Sequence, residues 1–289
     1  MILGATLVMQ PLSEIRALLA ANGLSPLKSL GQNFLIDHNL IRKLADAAAI
    51  RPGELVLEIG PGTGTLTEEL LALGAHVIAA ELDQGLAALL RARFVPPAYE
   101  AAAFMLIEGD CLRNKHALSE AIVRAVADRP FVLVANLPYD AGTPAMTVLL
   151  ADFPLCRGLF VTIQYEVAQR LAARAGTREF GAISVLAQTT STIEIIAKAP
   201  PGCFWPQPGV HSALVAIRRR AEPLCESPGP FSRWCQRLLE KRRKQLGAVL
   251  ERNTAWPAGI DPIMRAETLT IDQLIALWRI AGEQLPERA

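Results

Sequence analysis

The stretch Leu55-Val56-Leu57-Glu58-Ile59-Gly60-Pro61-Gly62-Thr63-Gly64 decides the fold. A mostly apolar run of strand length enters a turn in which every second residue is glycine. Thr65-Leu66-Thr67-Glu68 then reads as a capping box that opens a helix. Leu66, Leu70 and Leu73 follow at helical spacing, and Gly74 ends the helix. A second apolar run, residues 76–80, finishes on an acid, Glu81. This is a βαβ unit for a ribose-bearing cofactor. Its glycines let main chain approach the ligand, and a carboxylate at the second strand tip can accept from both ribose hydroxyls.

The spacing narrows the choice. The loop reads G-x-G-x-G, with Glu81 seventeen residues after Gly64, where the dinucleotide fingerprint reads G-x-G-x-x-G. The compact form resembles the S-adenosylmethionine loop of class I methyltransferases. A nicotinamide enzyme, or a loop with no ligand, stays open at this point.

Before the loop, a short helix over residues 13–21 ends at Asn22-Gly23. Lys28-Ser29-Leu30-Gly31-Gln32-Asn33-Phe34-Leu35-Ile36-Asp37 follows, and Asp37 caps a helix to about Ala49. Gln32-Asn33 suits plain turn chemistry, or a lid over the cofactor. After Glu81 a helix spans residues 86–93 and breaks at Pro96-Pro97. The third strand, residues 104–107, leads to Glu108-Gly109-Asp110. An acid there faces the carboxyl edge of the sheet, where open α/β folds bind ligands, so Asp110 can take the cofactor's adenine amino group or cap a helix.

The fourth strand, residues 131–135, is almost wholly apolar and enters Asn136-Leu137-Pro138-Tyr139. This tetrapeptide suits chemistry on an exocyclic adenine amine, whose lone pair is delocalised into the ring. An Asn oxygen and a nearby main-chain carbonyl, both accepting from the amine, favour a pyramidal nitrogen. Pro138 stiffens the turn, and Tyr139 offers a face for the base. An Asn-capped loop with a core tyrosine is the alternative. Further strands are expected over residues 159–164, 192–199 and 213–218, with helices over 165–174 and 182–189. Between the last two strands lies Phe204-Trp205-Pro206-Gln207-Pro208-Gly209-Val210-His211-Ser212. There Phe204 suits either core packing or a second face for a flipped base.

Beyond residue 219 the pattern turns to helices separated by Pro and Gly, ending in a helix capped by Thr270-Ile271-Asp272-Gln273. Residues 201–250 carry nine Lys/Arg against Glu222, Glu226 and Glu240, a local +6 in a chain whose total is +1. Such segregation is read as a phosphate-binding surface rather than a solvated face. Five scattered cysteines without a C-x-x-C fit a reduced cytoplasmic protein lacking disulfides and metal. The apolar start lacks a basic leader region and is too short to span a membrane; Met9 is an alternative initiator.

In this order the motifs resemble the bacterial small-subunit rRNA adenine N6,N6-dimethyltransferases. The match runs from Leu30-Gly31-Gln32-Asn33-Phe34-Leu35 to Arg265-Ala266-Glu267-Thr268-Leu269. It takes in Glu81-Leu82-Asp83, Gly109-Asp110, Gln164-Tyr165-Glu166-Val167-Ala168 and the segment from Phe204 to Ser212. The resemblance implies an α/β fold: a class I, Rossmann-like, mostly parallel sheet with one antiparallel strand, and a small C-terminal helical domain. Residues 1–219 would form the catalytic domain with an N-terminal helical lid, and 220–289 the rRNA-binding domain. S-adenosyl-L-methionine, with no metal, would contact Asn33, Leu35, Gly60, Gly62, Glu81, Leu82, Asp110, Cys111 and Asn136. The target adenine would meet Asn136, Leu137, Pro138, Tyr139 and Phe204. The product would be two adjacent N6,N6-dimethyladenines in the 3′-terminal hairpin of 16S rRNA, made on 30S assembly particles by a cytoplasmic monomer.

Four departures from the family pattern stand out. Leu30 replaces a usual Phe, Tyr165 a common Lys, His211 a common Asp, and Asp140-Ala141-Gly142 a more usual Asn-Ile-Ser. A resistance-type enzyme acting on large-subunit rRNA shares the catalytic motifs, but the R-A-E-x-L segment favours the small-subunit branch. A non-enzymatic relative would show decay of the tetrapeptide, which is intact. A nicotinamide oxidoreductase would need a hydride-accepting site, and no residues supply one.

Overall fold

The structure, a computed structural model, describes residues 11–94 and 103–284. Residues 1–10, with the alternative start at Met9, and the break expected at Pro96-Pro97 lie outside the described residues.

Seven strands form the main sheet: β1 Leu55–Ile59, β2 His76–Glu81, β3 Phe104–Glu108, β4 Phe131–Asn136, β5 Cys156–Gln164, β6 Ser191–Ala199 and β7 Ser212–Arg219. Their order is β3-β2-β1-β4-β5-β7-β6. The pairs β1–β2, β1–β4, β2–β3 and β4–β5 are parallel. The main chain of Arg220 donates to Thr190, and the Thr192 hydroxyl meets the carbonyl of Arg218, so β6 and β7 run in opposite directions. From β1 the chain goes outward to β2 and β3, then returns to β4 on the other flank. That reversal opens a crevice at the carboxyl ends of β1 and β4, where ligands of such folds sit.

The helices are α1 Leu12–Ala21, α2 His38–Ala48, α3 Thr65–Ala72, α4 Gln84–Phe94, α5 Glu120–Val126, α6 Tyr139–Asp152, α7 Tyr165–Leu171, α8 Ala182–Thr190, α9 Pro228–Glu240 and α10 Ile271–Ala281. Asp37 caps α2 as expected, accepting from Asn39 and Leu40. Val56, Val77, Ala79, Val132 and Val134 point one way from the sheet into α2, α3 and α4. The intervening Leu57, Ile78 and Leu133 are buried as well, which is why these strands read as continuous apolar runs.

Two local expectations are corrected. No capping box forms at Thr65–Glu68, because the N-cap of α3 is Gly64, in left-handed conformation and without a side chain. The box residues serve tertiary contacts instead: Thr67 donates to Glu58, and Glu68 pairs with Arg93. Asp110 caps no helix, since α5 is capped by Ser119. The box at Thr270–Gln273 is present. Helix α6, with Pro144 inside it, has no clear sequence signal.

The chain divides into two compact units. The first runs to Val148 and adds Leu155–Tyr165 and Ile195–Ala216. The second comprises Leu149–Pro154, Glu166–Glu194 and the chain from Ile217 onward. The composition boundary at residue 219 coincides with the end of β7, but the second unit also takes these two earlier stretches. Its core is Phe231, Trp234 and Leu238 of α9 with Phe180, Val185, Leu274 and Leu277.

Candidate active site

A cavity of about 460 Å³ opens in the first unit at the carboxyl edge of β1 and β4. That is the size of a small-molecule site. Ile59, Gly60 and Gly62 form its floor. Glu81 and Leu82 come from β2, Asp110 and Cys111 from the end of β3, and Asn136 to Tyr139 from the end of β4. Asn33, Phe34 and Phe204 complete the wall. Leu35 does not line it; its side chain sits in the core beside Leu40 and Phe204, and the ring facing the cavity is that of Phe34.

The glycine loop lies against two of these walls. Gly60 and Gly62 have φ of 69° and 61°. A Cβ on Gly60 would come 2.9 Å from Pro138 Cγ, and one on Gly62 would come 2.9 Å from the Phe34 ring. Glycine is therefore needed for both backbone conformation and space.

Glu81 is buried and held at both oxygens. Oε2 accepts from the Gly62 amide at 3.1 Å, and Oε1 from the Asp83 amide at 2.9 Å. Burial raises its pKa above the usual carboxylate range, and these two amides oppose the rise. Behind the loop, Glu58 is fully buried, and its carboxyl is pushed up to about 8 by desolvation. The Thr67 hydroxyl at 2.7 Å works against that shift, and the charge of Glu81 adds to it. Asp110 accepts from the Leu112 amide at 2.8 Å, a local turn that opens a hairpin of Leu112–Asn114 with Ala117–Leu118. Burial, then Asp110, pushes the Cys111 thiol up to about 12, so it stays protonated and non-nucleophilic.

The tetrapeptide is fixed residue by residue. Leu137 is buried and donates its amide to Thr162. Pro138 meets Gly60, and its carbonyl accepts from Gly142 to start α6. The Tyr139 hydroxyl lies 2.9 Å from Ser212 Oγ. Asn136 Nδ2 donates to the main-chain oxygen of Asn33 at 2.9 Å. A carbonyl can only accept, so this bond fixes which way the amide points and leaves Oδ1 as its free acceptor.

A two-stranded ribbon brings the remaining parts together. Phe34 pairs with Trp205, and Leu35 with Phe204, in antiparallel register. Phe204 is 2% exposed and packs with Leu35 and Leu214, as the core-packing reading expects, and it also borders the cavity. Gln32 and Asn33 both line the cavity, where the sequence offered a lid or plain turn chemistry. Sequence reasoning missed Phe34 in the wall and Asp83 as the residue whose amide holds Glu81.

The model of the ribosomal RNA adenine dimethylase family matches residues 25–281. The chain belongs to that family. Its activity is rRNA adenine dimethylation. The ribosomal RNA small subunit methyltransferase A of Dinoroseobacter shibae is 39% identical, over 93% of this chain and 96% of that protein. Its counterpart in Streptomyces griseus is 35% identical, over 95% and 94%. Among solved structures, the 23S rRNA methyltransferase ErmE superposes with a TM-score of 0.62 at 25% identity, over 86% of this chain and 98% of that one. A dimethyladenosine transferase from Plasmodium falciparum shares the fold, with a TM-score of 0.66 at 22% identity over 84% and 95%.

The departures from the family pattern have visible contacts. Tyr165 carries the ammonium of Lys198 over its ring, 4.5 Å from the centroid, and its amide donates to His211. Gly142 sits where an added Cβ would come 3.2 Å from Leu137 Cβ. In the family's R-A-E-x-L segment, Ala266 and Leu269 are buried and Glu267 pairs with Arg242, so that motif is packing for the second unit. All five cysteines are free thiols. Among the described residues no group of three or more His, Cys, Asp or Glu could hold a metal, and no helix is long and apolar enough to cross a membrane.

Proposed function

We propose that the chain transfers methyl groups from S-adenosyl-L-methionine to the N6 amines of two adjacent adenines in the 3′-terminal hairpin of 16S rRNA. The observation that carries this reading is the pinned Asn136 amide, whose free oxygen stands beside a rigid turn and a tyrosine ring. The donor fits the cavity's chemistry: an anchored carboxylate at Glu81 for ribose hydroxyls, Asp110 for an adenine amine, and a glycine floor at Gly60 and Gly62. Asn33, Leu82 and Cys111 complete its wall, and Leu35 acts through the ribbon it makes with Phe204. Once bound, S-adenosylmethionine supplies an electrophilic methyl on a sulfonium.

The protein's own residues prepare the nucleophile. Asn136 Oδ1 and the main chain at Leu137-Pro138 accept from the target amine, drawing its lone pair out of conjugation. Tyr139 and Phe204 hold the base. No general base is needed before attack, because the amine is uncharged; the surplus proton leaves afterwards to water. Residues 1–219 do this chemistry, and 220–289 grip rRNA through charge. The setting is a cytoplasmic monomer acting on 30S assembly particles.

The names of the relatives at 35–39% identity support the small subunit, and the likeness to ErmE keeps the large subunit as the rival. The test is incubation of labelled S-adenosylmethionine with under-methylated 30S particles and, in parallel, 23S rRNA. Label confined to two neighbouring adenines of the 16S hairpin is expected. Label in 23S rRNA alone would overturn the assignment.

A further inference from the structure

Gln32 spends both ends of its amide on fixed partners. Oε1 accepts from the Leu27 amide at 2.7 Å, and Nε2 donates to Asp83 Oδ2 at 2.9 Å. Asp83 is itself a fork. Its Oδ1 accepts from Gly85 and Leu86 at the start of α4, and its own amide donates to Glu81 Oε1. One run of hydrogen bonds therefore leads from the segment before α2, through Gln32 and Asp83, to the carboxylate of Glu81 and on to Gly62. The same segment is tied a second time, by the Asn33 carbonyl on Asn136. Residues 29–33 line the cavity, and the two ties hold the end of this stretch, at Gln32 and Asn33. Only a side chain with one donor and one acceptor end serves both Leu27 and Asp83, and glutamate would set two carboxylates against each other.

We propose that Gln32 is a positioning residue: its hydrogen bond to Asp83 latches residues 29–33 over the cavity and thereby sets the affinity for the methyl donor. This rests on the reading that the cavity takes S-adenosylmethionine. The latch has a reversible polarity, which makes it testable without relying on loss alone. In Gln32→Glu the new carboxylate opposes Asp83, and in Asp83→Asn two amino groups face each other. Combining Gln32→Glu with Asp83→Asn restores the bond with donor and acceptor exchanged. The carboxylate at position 32 then takes both the Leu27 amide and the side-chain amino group at position 83, while the oxygen at position 83 still caps α4.

Hydrogen exchange of residues 28–33 in donor-free protein and calorimetric affinity for S-adenosylmethionine are the two measurements. Each single variant should exchange faster than the wild type and bind the donor about tenfold to a hundredfold more weakly, the worth of one charge-assisted hydrogen bond. The double variant should recover most of both losses. A structural role alone would lower the melting temperature of the singles and leave donor affinity unchanged. Singles that exchange and bind like the wild type, or a double variant as weak as the worse single, would overturn the latch. If the wild type binds no donor, the cofactor reading fails, and the exchange data still judge the latch.

Discussion

The side-chain amide of Asn136 donates to the main-chain oxygen of Asn33, 103 residues away in sequence and 2.9 Å away in space. The end of β4 and the segment before α2 are thus joined at the point where the chemistry is assigned. The bond orients the amide, and orientation is what a hydrogen-bond acceptor for an incoming amine requires.

Tyr139 should act through its ring. Tyr139→Phe loses the hydroxyl contact with Ser212, worth about 1 kcal/mol, and should keep much of the activity. Tyr139→Ala and Phe204→Ala should lose it, with stacking worth roughly 1–3 kcal/mol per base. Initial rates on under-methylated 30S particles separate the cases. A Tyr139→Phe enzyme as inactive as Tyr139→Ala would assign the work to the hydroxyl.

Glu81→Ala removes a carboxylate already oriented by Gly62 and Asp83. Donor binding should weaken by about 2–3 kcal/mol, the scale of a charge-assisted pair. Titration calorimetry reads this directly, and unchanged affinity would take Glu81 out of the site.

Glu58 predicts a pH dependence of stability. Its folded pKa of about 8 lies above its ordinary 4.5, so between these values the folded state binds the extra proton. Its contribution is complete below about pH 4.5 and is lost as pH rises through about 8. Glu58→Gln keeps an acceptor for Thr67 and cannot titrate, so it should flatten this slope. Urea unfolding of both proteins across the window is the measurement; parallel curves would show that Glu58 does not titrate there.

The basic run has two kinds of residue. Lys241, Arg243 and Lys244 are exposed, whereas Arg242 is half-buried and tied to Glu267 and the Arg178 carbonyl. Changing the three exposed residues to Gln should weaken rRNA binding and lower its log–log salt slope by roughly 0.7–0.9 per lost phosphate contact. Donor affinity should not move. Arg242→Gln should instead lower the melting temperature. A salt slope unchanged in the triple variant would place the RNA surface elsewhere.

The sheet was legible because its central strands are buried on both faces and so read as apolar runs: β1, β2 and β4 fall within a residue of expectation. The cavity floor was legible because the alternating glycines of residues 60–64 admit few other uses. The capping box at Thr65 misled because a local signature cannot show that Thr67 and Glu68 have distant partners in Glu58 and Arg93. Helix α6 was hidden by Gly142 and Pro144, poor helix formers held there by tertiary packing. The pairing of Phe34-Leu35 with Phe204-Trp205 was invisible because two-residue strands have no period, and only the fold brings them together.

The most direct test of the role given to Asn136 is mass spectrometry of the 3′-terminal 16S hairpin after reaction with the wild type and with Asn136→Ala. The wild type should give two adjacent dimethylated adenines. The variant should give neither, while its melting curve shows a folded protein. A fully active Asn136→Ala enzyme would contradict the mechanism at its centre.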